Sequence, residues 1–244
     1  MKKLLPALLF AASFNALAWD STDFKNEALS PFTTSARNVL MVGTGLTLTV
    51  LLLEDSIIDT TQNEVANDKP LGSLSKFGDL SGQLLPNALY ALGQTLAGAS
   101  GNPDGYRRAI GMFKASAYAS GVTTALKYTI REPRPINGHK DRNSFPSGHT
   151  TTAFAFSGYV LGEHGWAWGA PALALSTFVG ISRINDNRHF LHDVLAGATI
   201  GMSYGIGIAK LDKKKKDNNE KGADLTIVPI FDWNTKGLAL VGEF

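Results

Sequence analysis

The sequence of 244 residues contains no cysteine. This absence excludes disulfides, thiolate metal sites and cysteine nucleophiles together. A large net charge is also missing, because 23 Lys and Arg residues stand against 21 Asp and Glu residues, and Lys2 and Lys3 lie in a predicted leader. Without an overall basic field, the composition gives no support to nucleic-acid binding.

No segment reaches about 18 uninterrupted, strongly apolar residues, so hydropathy alone does not decide how many helices cross a membrane. The chain has instead shorter apolar segments rich in Gly, Ala, Ser and Thr, which allow close helix packing. We therefore predict an all-α domain over residues 38–210, built as a bundle of six core helices. The predicted core helices are Val39–Leu53, Leu84–Ala99, Ala109–Ile130, Thr150–Leu161, Trp166–Ile181 and Phe190–Ala209.

The first 18 residues have the order of a secretory signal peptide. Lys2 and Lys3 are followed by an apolar run from Leu4 to about Phe14, and then by a small-x-small cleavage pattern. An N-terminal amphipathic helix is the alternative. We expect removal of residues 1–18 and export of the mature chain, with residues 19–37 forming a polar lead-in to the bundle.

Two appendages are predicted after the bundle. Residues 211–223 contain a lysine-rich run that is typical of a solvated linker. Residues 224–244 contain two β-prone segments separated by a turn, which predicts a short C-terminal β-hairpin. Two strands cannot close a membrane barrel, which needs about eight, so the hairpin is interpreted as an accessory.

Three polar clusters lie where a predicted helix meets a loop. Taken singly they are weak signals, because Arg-Pro often marks a helix boundary and Ser147 is a plausible N-cap. Their order and spacing together point to chemistry. The clusters are Lys127 with Arg134-Pro135, then Pro146-Ser147-Gly148-His149, then Ser182-Arg183 with His189 and Asp193.

A phosphoryl group needs several fixed cations and hydrogen-bond donors around its oxygens. Lys127, Arg134 and Arg183 supply three cations, and arginine suits bidentate contacts with oxygen. The Ser147 hydroxyl and the Gly148 amide, at a helix N-terminus, add neutral donors. These five residues are therefore predicted to bind phosphate.

A phosphatase also needs a nucleophile and a proton donor for the leaving group. His189 and Asp193 are four residues apart on one helix face, so the carboxylate can hold one ring nitrogen while the other carries a lone pair. His189 is therefore predicted as the nucleophile and Asp193 as the residue that orients it. His149, on another helix, is predicted as general acid and then general base.

The three clusters resemble the signature of the type-2 phosphatidic acid phosphatase and vanadium haloperoxidase superfamily: Lys-x6-Arg-Pro, Pro-Ser-Gly-His and Ser-Arg-x5-His-x3-Asp. The resemblance covers about residues 109–209 and matches every defining position. It implies the same roles for the phosphate-binding residues, with attack by His189 and protonation by His149. Chemistry that relies on histidines and fixed cations needs no metal or cofactor, and no metal-binding constellation of carboxylates or histidines is evident elsewhere in the sequence.

The predicted function is a metal-independent phosphatase that hydrolyses phosphate monoesters or diphosphates through a phosphohistidine. The resemblance is greater to the lipid phosphatase branch, with phosphatidate, phosphatidylglycerol phosphate, polyprenyl diphosphate or lipid A phosphates as candidate substrates. A soluble broad-specificity periplasmic acid phosphatase is the main alternative, and a vanadate-dependent haloperoxidase is another. We expect a periplasmic protein that is membrane-associated or partly embedded, with Val39–Leu53 in contact with the membrane.

Overall fold

Helices make up most of the computed structural model, which describes residues 21–53, 59–135, 142–219, 225–232 and 235–242. The predicted signal peptide lies outside the described residues. A short 3-10 turn at Gly72–Leu74 precedes the helix that begins at Ser75. The helices are α1 (Ser21–Ala28), α2 (Ser30–Thr33), α3 (Ala36–Leu53), α4 (Asp59–Asp68), α5 (Ser75–Ser81), α6 (Leu85–Ala99), α7 (Gly105–Ile130), α8 (Gly148–His164), α9 (Trp166–Asn185) and α10 (Leu191–Asn219).

Helix α8 lies at the centre of the bundle and packs against α7, α9 and α10. Its contact with α10 is close because glycines recur there at four-residue spacing. A Cβ atom at Gly197 would lie 2.6 Å from the Ser147 carbonyl oxygen, and one at Gly205 would lie 2.6 Å from that of Ala155. Larger residues at these positions would force the two backbones apart.

The core consists mainly of small residues with a few large ones between them. Met112, Tyr159 and Ile208 are fully buried, and Ala115 and Ala155 are buried beside them. Small side chains allow the helix axes to come close, which is the packing that the sequence predicts. The all-α bundle of six core helices is confirmed, with α3 and α6 to α10 as those helices.

The last core helix is longer than predicted. It continues to Asn219, through the lysine-rich run that the sequence indicates as a linker beginning at residue 211. This lysine-rich part of the helix packs against the bundle because its lysines contact groups on neighbouring elements. Lys213 donates a hydrogen bond to the Glu163 carbonyl oxygen at 3.1 Å, and Lys216 pairs with Asp104 at 3.1 Å.

The polar lead-in is helical and partly buried. It contains two short helices, α1 and α2, and Ser30 of α2 is fully buried. Glu27 of α1 is buried as well and pairs with Lys114 at 2.6 Å. The lead-in therefore packs on the bundle through a buried ion pair that spacing along the sequence does not reveal.

Two strands follow the bundle, β1 (Leu225–Asp232) and β2 (Thr235–Gly242). They are antiparallel, with Leu225 opposite Gly242 and Asp232 opposite Thr235. An isolated two-stranded hairpin is marginally stable in water, so the accessory hairpin stays a prediction.

Among the described helices, two are long and apolar enough to cross a bilayer: α3 over its whole length, and the segment Leu191–Asp217 of α10. The second is largely buried in the bundle, whereas α3 exposes Met41, Val42 and Leu52. Length and composition alone are weak grounds for a membrane span, since a buried core helix has the same properties. The outward apolar face of α3 is nevertheless compatible with membrane contact.

Candidate active site

The three sequence clusters come together at one end of the bundle. Consecutive long helices run in opposite directions, so the C-terminal ends of α7 and α9 lie beside the N-terminal ends of α8 and α10. A backbone hydrogen bond joins two of the clusters, from the Ser147 amide to the Asp193 carbonyl oxygen at 3.0 Å. The close glycine contacts between α8 and α10 fix this approach.

His189 is buried, with a relative exposure of 3 %, between a cation and a carboxylate. Arg134 Nη1 lies 3.2 Å from Nε2 of the ring, and Asp193 Oδ2 lies 3.3 Å from Nδ1. Because arginine only donates hydrogen bonds, Nε2 is the acceptor and the ring proton resides on Nδ1. This tautomer leaves a lone pair on the nitrogen that points toward the cation.

The protonation state of His189 follows from its surroundings. Burial lowers its pKa to about 4, and although Asp193 opposes this shift, the charges of Lys127 and Arg134 add to it. The imidazole is therefore neutral at ordinary pH, as a nitrogen nucleophile must be.

Asp193 is held by several donors besides His189. The Ser144 hydroxyl donates to its Oδ2 at 2.6 Å, and the Phe190 amide donates to the same oxygen at 2.9 Å. The carboxylate is fully buried, so this network determines its orientation. Asp193 can accordingly fix the ring of His189 without turning away from it.

Lys127 holds the loop that returns to α8. Its Nζ donates to the carbonyl oxygens of Asn143 at 2.6 Å and Ser144 at 3.1 Å. These contacts place the ammonium group beside the start of α8, where a Cβ atom on Gly148 would lie 3.8 Å from Lys127 Cε. The missing side chain at Gly148 keeps the approach to the helix N-terminus open.

Arg183 and His149 are linked by a residue outside the three clusters. Asp79, on α5, accepts a hydrogen bond from Arg183 Nη1, and its Oδ1 also lies 3.3 Å from His149 Nε2. The contact with His149 lacks the alignment of a hydrogen bond and is electrostatic, as is common for catalytic pairs before substrate binds. Burial works to raise the pKa of Asp79, but the hydrogen bond and charge of Arg183 outweigh it and keep the pKa below its usual value.

His149 lines a cleft and lies in a positive environment. Burial lowers its pKa below the ordinary value, and the charge of Arg183 lowers it further, while Asp79 acts in the opposite direction. A bound phosphate dianion would raise this pKa by supplying negative charge. The ring could then carry a proton at the moment when a leaving group needs one.

Ser147 lies at the N-cap position of α8, but its side chain makes no capping hydrogen bond. The hydroxyl is fully buried and accepts a hydrogen bond from Thr150 Oγ1 at 2.9 Å. Ser147 therefore occupies the N-cap position without capping the helix through its side chain. A phosphate contact through this hydroxyl stays a prediction.

The cleft has a volume of about 240 Å³ and is lined by Lys127, Gly148 and His149 among others. A second, apolar groove of about 280 Å³ lies between α6 and α7. Leu84 and Ser120 border both spaces, so the groove begins where the cleft ends. The polar cleft and the apolar groove together could accommodate a molecule with a charged head and an apolar tail.

Sequence spacing missed several side chains that build the site. Asp79 and Ser144 contact predicted site residues directly, and Gln62 bridges the carbonyl oxygen of His189 and the amide of Leu191 at 3.2 and 3.0 Å. Asp79 and Gln62 come from the segment between the core helices α3 and α6, where no motif marks them. Ser144 lies three residues before Ser147, which is the only signal that could have indicated it.

One group of side chains within the described residues has the proximity of a metal site. The ligand atoms of Glu132, His192 and Asp193 lie within 4.8 Å of one another. His192 Nε2 already bonds Glu132 Oε1 at 2.9 Å, and Asp193 Oδ2 is held by Ser144. His192 Nε2 also lies 3.5 Å from Asp193 Oδ1, so the three residues form a polar cluster behind His189, on its Asp193 side.

Comparison with known proteins identifies the helical domain. Residues 109–217, which include all three clusters, match the PAP2 superfamily. Over this segment the chain is similar to the PAP2 superfamily. The predicted family resemblance is therefore confirmed, and the matched segment begins in α7 and ends in α10.

Two curated relatives share this segment. A lipid A 1-phosphatase of Porphyromonas gingivalis is 40% identical over 93 residues, which are 36% of this chain and 20% of that protein. A bacitracin transport permease protein of Bacillus licheniformis is 42% identical over 77 residues, or 30% of this chain and 36% of that protein. The chain thus spans about a fifth to about a third of the length of these relatives.

A solved structure extends the likeness beyond the matched segment. The crystal structure of a transmembrane PAP2-type phosphatidylglycerolphosphate phosphatase from Bacillus subtilis superposes with a TM-score of 0.53. The alignment covers 72% of this chain and 96% of that chain at 20% sequence identity. At this identity the likeness concerns the fold, and it includes helices that precede residue 109.

Proposed function

We propose that this chain is a metal-independent phosphatase that acts on phosphate monoesters or diphosphates of lipids through a phosphohistidine on His189. The observation that carries the proposal is the placement of the His189 ring between Arg134 and Asp193. It leaves an unprotonated nitrogen next to a cation, which is where a phosphoryl group would bind. A relative that shares the segment is a lipid A 1-phosphatase.

In the first step, His189 Nε2 attacks phosphorus and forms an N–P bond while the P–O bond to the alcohol breaks. Arg134 turns from Nε2 to the phosphoryl oxygens, where Lys127 and Arg183 add positive charge that stabilises the transition state. His149 gives its proton to the departing alkoxide. Asp193 stabilises the positive charge on His189 through the Nδ1 proton.

In the second step, a water molecule attacks the phosphohistidine. His149, now neutral, accepts a proton from the water as the O–P bond forms and the N–P bond breaks. Inorganic phosphate leaves and His189 returns to its neutral form. Each histidine ends in the protonation state in which it began.

The apolar groove supports a lipid substrate. Leu84 and Ser120 connect it to the cleft, and its walls are almost entirely apolar, with Ala88, Met112 and Phe113 among the lining residues. An acyl or prenyl chain in the groove would place its phosphate beside Lys127 and His149. A soluble phosphomonoester would leave this apolar surface exposed to water.

The test is a phosphate-release assay on paired substrates, comparing long-chain phosphatidate in mixed micelles with glycerol 3-phosphate. The matched variant is Ala88→Trp, because Ala88 is an exposed residue of the groove. It should lower the rate on phosphatidate by about tenfold through steric exclusion of the chain and leave glycerol 3-phosphate unaffected. Equal rates of the unaltered protein on both substrates would favour the broad-specificity alternative.

We also propose that the protein is exported and that its active site is periplasmic, on a bundle only partly embedded in the membrane. Asp23 of α1 pairs with Lys215 of α10 at 2.7 Å, so both lie at the end opposite the site. A fully spanning bundle with an exported N-terminus would therefore put the site on the cytoplasmic side. Helix α6, at about 22 Å, is also short of the roughly 30 Å hydrocarbon core.

Fractionation of intact cells, carbonate washing of the membranes and a membrane-impermeant substrate test this location. Activity toward the impermeant substrate is expected before the inner membrane is broken. Activity that emerges only after lysis of the inner membrane would contradict the periplasmic site. Carbonate-resistant protein with external activity would instead show full integration into the membrane.

A further inference from the structure

Asp79 lies on α5, outside the three sequence clusters, yet it contacts two predicted site residues. Its Oδ1 accepts a hydrogen bond from Arg183 Nη1 and lies 3.3 Å from His149 Nε2. Its Oδ2 accepts a hydrogen bond from Gln83 Nε2 at 3.0 Å. One carboxylate thus connects the side chain from α8 with the side chain from α9.

The position of Asp79 is fixed by close packing of its own segment. A Cβ atom at Gly78 would lie 2.6 Å from Ser182 Cβ, and one at Gly82 would lie 2.6 Å from His149 Cβ. The carbonyl oxygen of Gly82 also accepts a hydrogen bond from Thr152 Oγ1 at 2.6 Å. These contacts hold α5 against α8 and α9, so the Asp79 carboxylate is positioned by a packed helix and not by a flexible loop.

We propose that Asp79 is a positioning residue that orients His149 for proton transfer to the leaving group and aligns Arg183 with the phosphate oxygens. This inference rests on the proposed function. A shared oxygen atom is suited to the task because it fixes the distance between the proton donor and the phosphate-binding cation. His149 would otherwise have no fixed carboxylate partner among its described contacts.

The charges around His149 support this role. Lys127 from α7, Arg134 just after α7 and Arg183 from α9 all disfavour its protonated form, and burial disfavours it most. Asp79 from α5 is the charge that favours it. Neutralising Asp79 would therefore make His149 harder to protonate, and the alkaline limb of the pH profile would move to lower pH.

The experiment uses the full chain with Asp79→Asn, which keeps the side-chain shape and removes the charge. Asp186→Asn is the matched control, because Asp186 Oδ2 lies 3.6 Å from Arg183 Nη2 and has no contact with His149 among the described residues. Both are assayed on phosphatidate, which has an alkoxide leaving group, and on 4-nitrophenyl phosphate, whose leaving group needs little protonation. Melting temperatures establish that each variant is folded.

Asp79→Asn should lower the rate of phosphoenzyme formation, measured in a single turnover, by about 10- to 100-fold with phosphatidate and by no more than about threefold with 4-nitrophenyl phosphate, because only the first substrate depends strongly on the general acid in this step. Its alkaline limb should shift to lower pH. Asp186→Asn should change KM on both substrates equally and leave the limb in place. Asp79→Glu, with the charge retained, should recover part of the phosphatidate rate.

Equal loss on both substrates with an unshifted alkaline limb would overturn the positioning role of Asp79. If Asp79→Asn does not fold, Asp79→Glu decides the question, since a displaced carboxylate should still slow phosphatidate selectively and an unchanged ratio of the two rates overturns the inference. Failure of the unaltered protein to release phosphate from either substrate would refute the proposed function itself. The two failures are therefore distinguishable.

Discussion

The two ends of the helical bundle contain similar charged residues but arrange them differently. At the end away from the site, Arg107 donates to both oxygens of Glu163 at 2.9 and 2.8 Å, and Arg108 donates to the same carboxylate at 3.1 Å. Asp104 pairs with Lys216 there at 3.1 Å. Cations and carboxylates pair directly at this end, so we interpret these residues as an ion-pair network that stabilises the fold.

At the site end, cations also contact groups without net charge. Lys127 donates to two backbone carbonyl oxygens, and Arg134 donates to the Arg188 carbonyl oxygen at 3.0 Å as well as to His189. The result is a positive environment that, after burial, contributes to the lowered pKa values of His149 and His189. The comparison teaches that cations at helix ends become candidates for anion binding where their described contacts include neutral carbonyl and ring acceptors.

The largest difference between the ends should appear on removal of one histidine from each. His189→Ala should reduce turnover by more than about 10⁴-fold, since the proposed mechanism forms the phosphoenzyme on this ring. His164→Ala is the matched control at the far end, where His164 bonds Tyr90 Oη at 2.7 Å. It should retain most of the activity.

Labelled phosphate trapped on the protein measures the same difference directly. An alkaline denaturing quench is suited to this because N–P bonds are labile in acid. Label should be present on the unaltered protein and on His164→Ala, and absent from His189→Ala. Label retained on His189→Ala would remove that residue as the nucleophile.

The next largest effect concerns the proton donor. His149→Ala should lower kcat on phosphatidate by about 10²- to 10⁴-fold, the usual contribution of a general acid. With 4-nitrophenyl phosphate the first step should survive and the phosphoenzyme should accumulate, because its hydrolysis still needs a base. We expect a rapid burst of 4-nitrophenol release followed by little further turnover. Full steady-state turnover would contradict the role of His149.

The pH dependence sharpens the comparison, because the proposed mechanism requires opposite protonation states of two histidines at the site end. His189 must be neutral, so kcat/KM should rise as pH increases through its pKa of about 4. His149 must be protonated, so kcat/KM should fall as pH increases through its pKa, which lies below 6.5. The optimum should be acidic, with about a tenfold loss per pH unit beyond each limb. An optimum above pH 8 would exclude this assignment.

The sequence was sufficient to predict the helical bundle, and its motifs contain side chains that the structure brings together at one end. Helix periodicity, small residues and the spacing from Lys127 to Asp193 depend on local chain geometry, which a single sequence expresses. Asp79, Gln62 and Glu27 could not be found in this way, because their partners lie far away along the chain. The same holds for the helical continuation of α10, which depends on contacts of its lysines with other helices.

A smaller effect on activity, with a clear effect on stability, is expected from the far end. Glu163→Gln removes a buried carboxylate from two arginines and should lower the free energy of unfolding by about 3 kcal/mol. The exposed pair of Asp23 and Lys215 provides the control, since Asp23→Asn should cost less than about 1 kcal/mol. Thermal melting in detergent measures both. Activity per folded molecule should stay near that of the unaltered protein, and a selective loss of kcat in Glu163→Gln would show that the two ends are coupled.

The smallest effect should come from removal of divalent metal. Lys127, Arg134 and Arg183 supply the positive charge that a metal would otherwise provide, so activity should survive EDTA. Vanadate should inhibit, since it can adopt the five-coordinate geometry of the transferring phosphoryl group. Loss of activity with chelator and its recovery with Mg²⁺ would refute the metal-independent mechanism. Glu132→Gln then locates any such ion, because Glu132 belongs to the one described group with the proximity of a metal site. Reduced metal content in that variant would place the ion behind His189. Unchanged metal content would place the ion elsewhere.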